Sequence, residues 1–145
     1  MIDLDNQTDL NINLEKLEDI AQELSQQDIE VLIVDDSTIQ ALNAQYRNKN
    51  TATDVLSFPL DNPFGLDTMP LGTILIASSF VEDKAEVFSH SIEDECTLLF
   101  IHGLLHLLGF DHESPDDKGK MRAKEKSIIE KFALPQSLII RNTDQ

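Results

Sequence analysis

The sequence predicts an α+β fold: a small mixed β-sheet of about four strands packed with four to five helices. Two observations lead there. Short β-rich runs are set apart by segments of helical period or by a long loop, and no repeat or low-complexity tract interrupts them. The chain's 145 residues, 41% hydrophobic and 26% charged, also suit one globular domain, spanning residues 1–145, with a sizeable core.

The elements follow in order. "MIDLDN" reads as a short strand with Ile2 and Leu4 on one face. Leu14, Leu17, Ile20, Ala21 and Leu24 recur at helical spacing, so about residues 13–26 read as an amphipathic helix. "IEVLIVD" is a strand, and Ser37 is the expected N-cap of a helix carrying Ile39, Leu42 and Tyr46. "TDVLSFPL" is a strand ended by Pro59, which cannot donate to a sheet ladder. "DNPFGLDTMP" is a loop rich in turn residues, and "LGTILIA" is the next strand. Ser79 and Glu82 form a capping-box pattern for a helix over about residues 80–90. Ser91 opens a long helix to about Leu108, and Pro115 suits the first turn of a last helix bearing Met121, Ile128 and Ile129. The tail "LPQSLIIRN" is apolar enough to dock on the body. Strand order is not readable from the sequence.

Composition narrows the function. No apolar run is long enough to span a bilayer, so no membrane partner is expected. "MIDLDNQTDL" lacks the basic start and apolar stretch of a signal peptide, which makes the cytoplasm the expected location. The lone Cys96 offers neither an internal disulfide nor a thiolate cluster, so a metal must be held by nitrogen and oxygen. The formal charge is −16 and the pI about 4.3, which argues against a free-standing nucleic-acid binder. Six of the eleven basic residues nevertheless lie between Lys118 and Lys131, and Arg47 and Lys49 form a second group.

Three of the four histidines fall within "HGLLHLLGFDH". His102 and His106, four residues apart on a helix, share one face and can reach one ion. Gly109 suits the left-handed bend that stops a helix, and His112 follows in position to return to the same ion. Three neutral imidazoles with an open fourth position are a catalytic zinc set, and such a site should weaken in mild acid. Asp111 reads equally as a residue that orients a ligand histidine or as a turn residue. His90, at the end of the preceding helix, reads as structural.

The same spacing occurs in zinc proteases, where a glutamate after the first histidine serves as base. Here Gly103 occupies that position, and its small size suggests close packing or ligand approach. A phosphodiester substrate needs that base less, because zinc polarises a phosphoryl oxygen. Phosphoryl transfer does require positive charge beside the reacting phosphorus, and Arg47, one of three arginines, sits just ahead of a strand.

These residues carry a family resemblance. "HGLLHLLGFDH", "LNAQYRNKNTATDVLSFP", "LGTILI" and the Met121/Glu125 pair resemble, in this order, the YbeY family of zinc-dependent endoribonucleases of ribosomal RNA maturation and ribosome quality control. The resemblance covers about residues 30–130 and implies one Zn²⁺ per chain on His102, His106 and His112, with Arg47 on the arginine implicated in catalysis. It implies a small mixed sheet with the zinc helix packed against it, and single-stranded RNA and ribosomal RNA as substrates. Ala52 stands where the family often has proline, Thr73 where aspartate is common, and Asp94 where arginine is common. Thr53 and Ser57 read equally as hydrogen-bond donors to phosphate or as ordinary strand residues. The acidic surface adds an expectation of weak, salt-sensitive cleavage of naked RNA and delivery by the ribosome or a ribosome-associated protein, with the run from Lys118 to Lys131 reading either as docking face or as an ordinary solvated helix face. Two other readings fit the ligand set: a zinc hydrolase acting on peptides with Asp111 or Glu95 as base, and a non-catalytic zinc-stapled module that docks on the ribosome.

Overall fold

The computed structural model describes residues 1–66 and 68–139. The elements are β1 (Ile2–Asn6), α1 (Leu14–Leu24), β2 (Ile29–Val34), α2 (Asp36–Arg47), β3 (Val55–Pro59), β4 (Gly72–Ala77), α3 (Ser78–Val87), α4 (Ile92–Leu107) and α5 (Pro115–Lys131). The four strands form one mixed sheet in the order β1-β2-β4-β3. β1 runs parallel to β2, and β2 parallel to β4, while β3 pairs antiparallel with β4 and forms one edge. Parallel neighbours need a crossover, and α1 supplies it between β1 and β2. The expected α+β class and mixed sheet are what the chain adopts.

Side-chain alternation splits the core in two. Val31, Ile33, Ile74 and Ile76 join one cluster with α1, α4 and α5. Val34, Leu56, Leu75 and Ala77 join the other, against Ile39 of α2. α4 is apolar nearly all round, which marks a central helix rather than a surface one. Leu98, Leu99, Phe100, Ile101, Leu104 and Leu105 are each no more than 1% exposed. Burying each such side chain stabilises by about 1.5–3 kcal/mol, so the helix that carries two of the histidines is firmly anchored in the core.

Gly103 is where α4 meets the sheet. A Cβ there would lie 2.8 Å from Ile74 Cγ2 and 3.1 Å from Ser57 Oγ. The Ile74 methyl sits on a branched, stiff Cβ and cannot swing away cheaply. Gly103→Ala would gain about 1 kcal/mol in helix propensity and lose about 1–3 kcal/mol to overpacking. The expected result is a lower denaturant midpoint than wild type; a higher one would show that the contact yields without cost.

Several local expectations are corrected. The N-cap of α2 is Asp35, whose side chain accepts from Thr38 N at 2.9 Å and from the Ser37 hydroxyl at 3.1 Å. Only Asp35 separates β2 from α2, which leaves Ser37 already inside the first turn. α3 follows β4 without a gap and has no side-chain cap; Ser79 donates to Asp36 instead. α3 ends at Val87, so His90 lies beyond it rather than in its last turn. Tyr46 is 61% exposed, and Asn43 is the buried polar residue of α2, donating to Thr51 O at 2.9 Å. Ser91 and Ser114 cap α4 and α5, with Pro115 in the first turn of α5. Leu134 and Leu138 are buried, in keeping with a docked tail, while residues 140–142 of that stretch lie outside the described residues.

Candidate functional site

α4 presents His102 and His106 one turn apart on one face, as the four-residue spacing requires. The helix ends at Leu107, and Gly109 takes φ +101°. Phe110 N then donates to Leu105 O at 2.9 Å, which folds the chain back on the helix. His112 is thereby brought over the first two. The ring centroids lie 4.7 Å (His102–His106), 5.1 Å (His106–His112) and 5.7 Å (His102–His112) apart. One nitrogen from each lies within 4.8 Å of the others, so the three form a group able to hold a metal ion.

Hydrogen bonds at the far side of two rings decide which nitrogens face the shared space. His106 Nδ1 lies 2.9 Å from Phe110 O. A carbonyl only accepts, so Nδ1 carries the proton and Nε2 presents a lone pair. His102 Nδ1 lies 3.0 Å from Glu125 Oε1, which fixes the same tautomer. The two Nε2 atoms are 3.2 Å apart. Two lone pairs at that distance repel unless a proton or a metal ion lies between them. Neighbouring nitrogen ligands on tetrahedral zinc sit about 3.3–3.4 Å apart, so the pair fits the ion. Burial of His106, and then the nearby charges of His102 and His112, push its pKa down to about 4, which keeps this imidazole neutral.

The group that orients His102 is Glu125 of α5, itself 1% exposed. Asp111 takes the other of its two readings: its Oδ1 accepts from Glu113 N at 3.2 Å and closes a turn. A glutamate on the otherwise apolar stripe of Met121, Ile128 and Ile129 is the sequence signal that could have revealed Glu125's role.

The histidines open onto a cleft of about 670 Å³, also lined by Arg47, Thr53 and Ser57. Arg47 ends α2; its Nη2 donates to Ser57 O at 2.6 Å and its Cζ lies 5.3 Å from the centre of the Phe58 ring. A hydrogen bond and a cation–π contact therefore hold the guanidinium beside the histidines. Thr53 is half-buried, with its hydroxyl 3.4 Å from Asp54 Oδ1. Ser57 is 7% exposed, and its hydroxyl donates to Gly103 O at 3.0 Å, so its proton is engaged with α4.

Two residues weighed as bases or structural groups lie elsewhere. Glu95 is fully buried and pairs with His90 Nε2 at 2.8 Å. It precedes His102 by about two turns, roughly 10 Å along α4, and is not among the residues that line the cleft. Gly103, where a protease carries its glutamate, has no room for even a methyl group.

The family described as Endoribonuclease YbeY matches residues 3–133. The chain belongs to the YbeY endoribonuclease family. It is 55% identical to an Endoribonuclease YbeY of Sulfurovum sp. (strain NBC37-1), over 98% of this chain and 97% of that one. It is 54% identical to the Endoribonuclease YbeY of Nautilia profundicola, over 99% of this chain and 100% of that one. The solution structure of a Thermotoga maritima protein superposes with a TM-score of 0.62 at 30% identity, covering 91% of this chain and 89% of that one. The YbeY resemblance seen in the motifs thus extends over most of the chain. Among the described residues, no helix is long and apolar enough to cross a membrane.

Proposed function

We propose that this chain is a zinc-dependent, single-strand-acting endoribonuclease of ribosomal RNA maturation and ribosome quality control, built as one domain and working in the cytoplasm. The observation that carries the reading is the convergence of His102, His106 and His112, with one nitrogen of each within 4.8 Å of the others, in a cleft that also holds Arg47. The family's activity supplies the reaction class.

His102, His106 and His112 hold the ion. Bound there, zinc supplies Lewis-acid polarisation of a phosphoryl oxygen. Arg47 spends one N–H on Ser57 O and keeps others of its planar fork for the non-bridging oxygens of the scissile phosphate. Thr53, whose hydroxyl makes only a long bond to Asp54 Oδ1 at 3.4 Å, turns it to the phosphate when RNA binds. Ser57 serves the substrate indirectly, with its carbonyl fixing Arg47 and its hydroxyl fixing α4. The packing of Gly103 and the remoteness of Glu95 leave the peptide-hydrolase reading only Asp111 as a base, which lines the cleft but has Oδ1 engaged by the Glu113 N–H. With a formal charge of −16, the chain takes its RNA from the ribosome or a ribosome-associated protein, and the basic run on α5 is the docking face.

The test joins metal analysis to cleavage of an unstructured RNA. The purified chain should carry about one zinc, following the single three-imidazole set. Cleavage should stop on chelation and return with added zinc. Cleavage indifferent to chelation would sink the zinc dependence.

A further inference from the structure

Glu125 does two things at once. Its Oε1 accepts from His102 Nδ1, while its Oε2 is buried with no hydrogen-bond partner among the described residues. A carboxylate taken out of water with one oxygen unpaired opposes the packing that buries it. His102, the group it meets, offers a dipole rather than a full charge while neutral. A dication on His102 Nε2 changes this. It draws electron density from the ring, makes Nδ1–H a stronger donor, and sets positive charge behind it. The burial of Glu125 is then compensated.

The helix that gains is α5. Its inward face consists of Met121, Glu125, Ile128 and Ile129, so the carboxylate is one of the four buried residues that seat it. The same helix carries the basic residues from Lys118 to Lys131. We infer that Glu125 couples metal occupancy to the seating of α5, so that the basic helix is firmly docked in the metal-loaded protein and looser in the metal-free one. This rests on the metal reading of the histidine site given above.

The test compares full-length wild type with Glu125→Gln, which keeps the shape and an acceptor for His102 but removes the charge. Zinc affinity is measured by chelator competition, stability by thermal unfolding, and helix seating by amide exchange with and without zinc. In wild type, zinc should slow exchange in residues 121–131 as well as in 102–112. In Glu125→Gln, zinc affinity should fall about tenfold to a hundredfold, the cost usual for a group that orients a ligand. The metal-free variant should melt no lower than metal-free wild type, because an uncompensated charge has gone, and its α5 exchange should stop responding to zinc. A purely structural glutamate predicts the opposite: a lower metal-free melting temperature and unchanged zinc affinity. That outcome, or zinc protection in wild type confined to 102–112, would overturn the coupling. The exchange comparison in wild type stands whether or not the variant folds. A wild-type chain that binds no zinc would overturn the metal reading itself, and the coupling with it.

Discussion

An Arg47→Ala chain should hold metal as wild type does and cleave single-stranded RNA about 100- to 1,000-fold more slowly. That range is the usual loss when one donor aimed at developing charge is removed from a preorganised site. The geometry separates the two readouts. Arg47 touches the site through Ser57 O and the Phe58 ring, while the orienting bonds of His102 and His106 run to Glu125 and Phe110. Loss of the guanidinium therefore leaves those orienting bonds in place. Arg47→Lys should recover only part of the rate, because an ammonium keeps the charge without the fork. Single-turnover cleavage beside metal content checks this. Metal and activity lost in equal measure would make Arg47 a structural residue instead.

A His106→Ala chain should lose both. Its Nε2 is one of two lone pairs set 3.2 Å apart, so its removal leaves two imidazoles and halves the closest pair. Metal affinity should fall by more than the roughly hundredfold seen when only an orienting neighbour is lost, and cleavage should drop to background. Far-UV circular dichroism should change little, since His106 is half-buried and α4 is held by its fully buried leucines. The bend is a different matter: Phe110 O loses its partner, so segment 108–112 should exchange faster. A variant that retains wild-type zinc and rate would remove the histidine site from the reaction.

How much was legible beforehand follows the range of each interaction. The three histidines could be placed because helix period and one glycine bend, both local, bring residues 102–112 together. α4 could be recognised as a central helix from its apolar composition alone. Glu125 received no role because it lies 23 residues from His102 on another helix, and no short-range rule pairs them. Arg47 could be suspected from its chemistry, but its anchor is a backbone carbonyl, which every residue possesses. The misplaced caps share one cause: the strand-to-helix connections are shorter than expected, one residue (Asp35, itself the cap) before α2 and none before α3. Tyr46 has the spacing of an apolar face, yet α2 ends one residue later, and its ring meets Phe58 edge-on rather than entering the core.

The position of β3 at the rim of the sheet has one more consequence. An outer strand with free amides and carbonyls invites another molecule to add on, the first step toward aggregation. Here Arg47 occupies the carbonyl of Ser57, and Pro59 withholds an N–H at the strand's end. The guanidinium that lines the cleft thus also shields that border from strand addition.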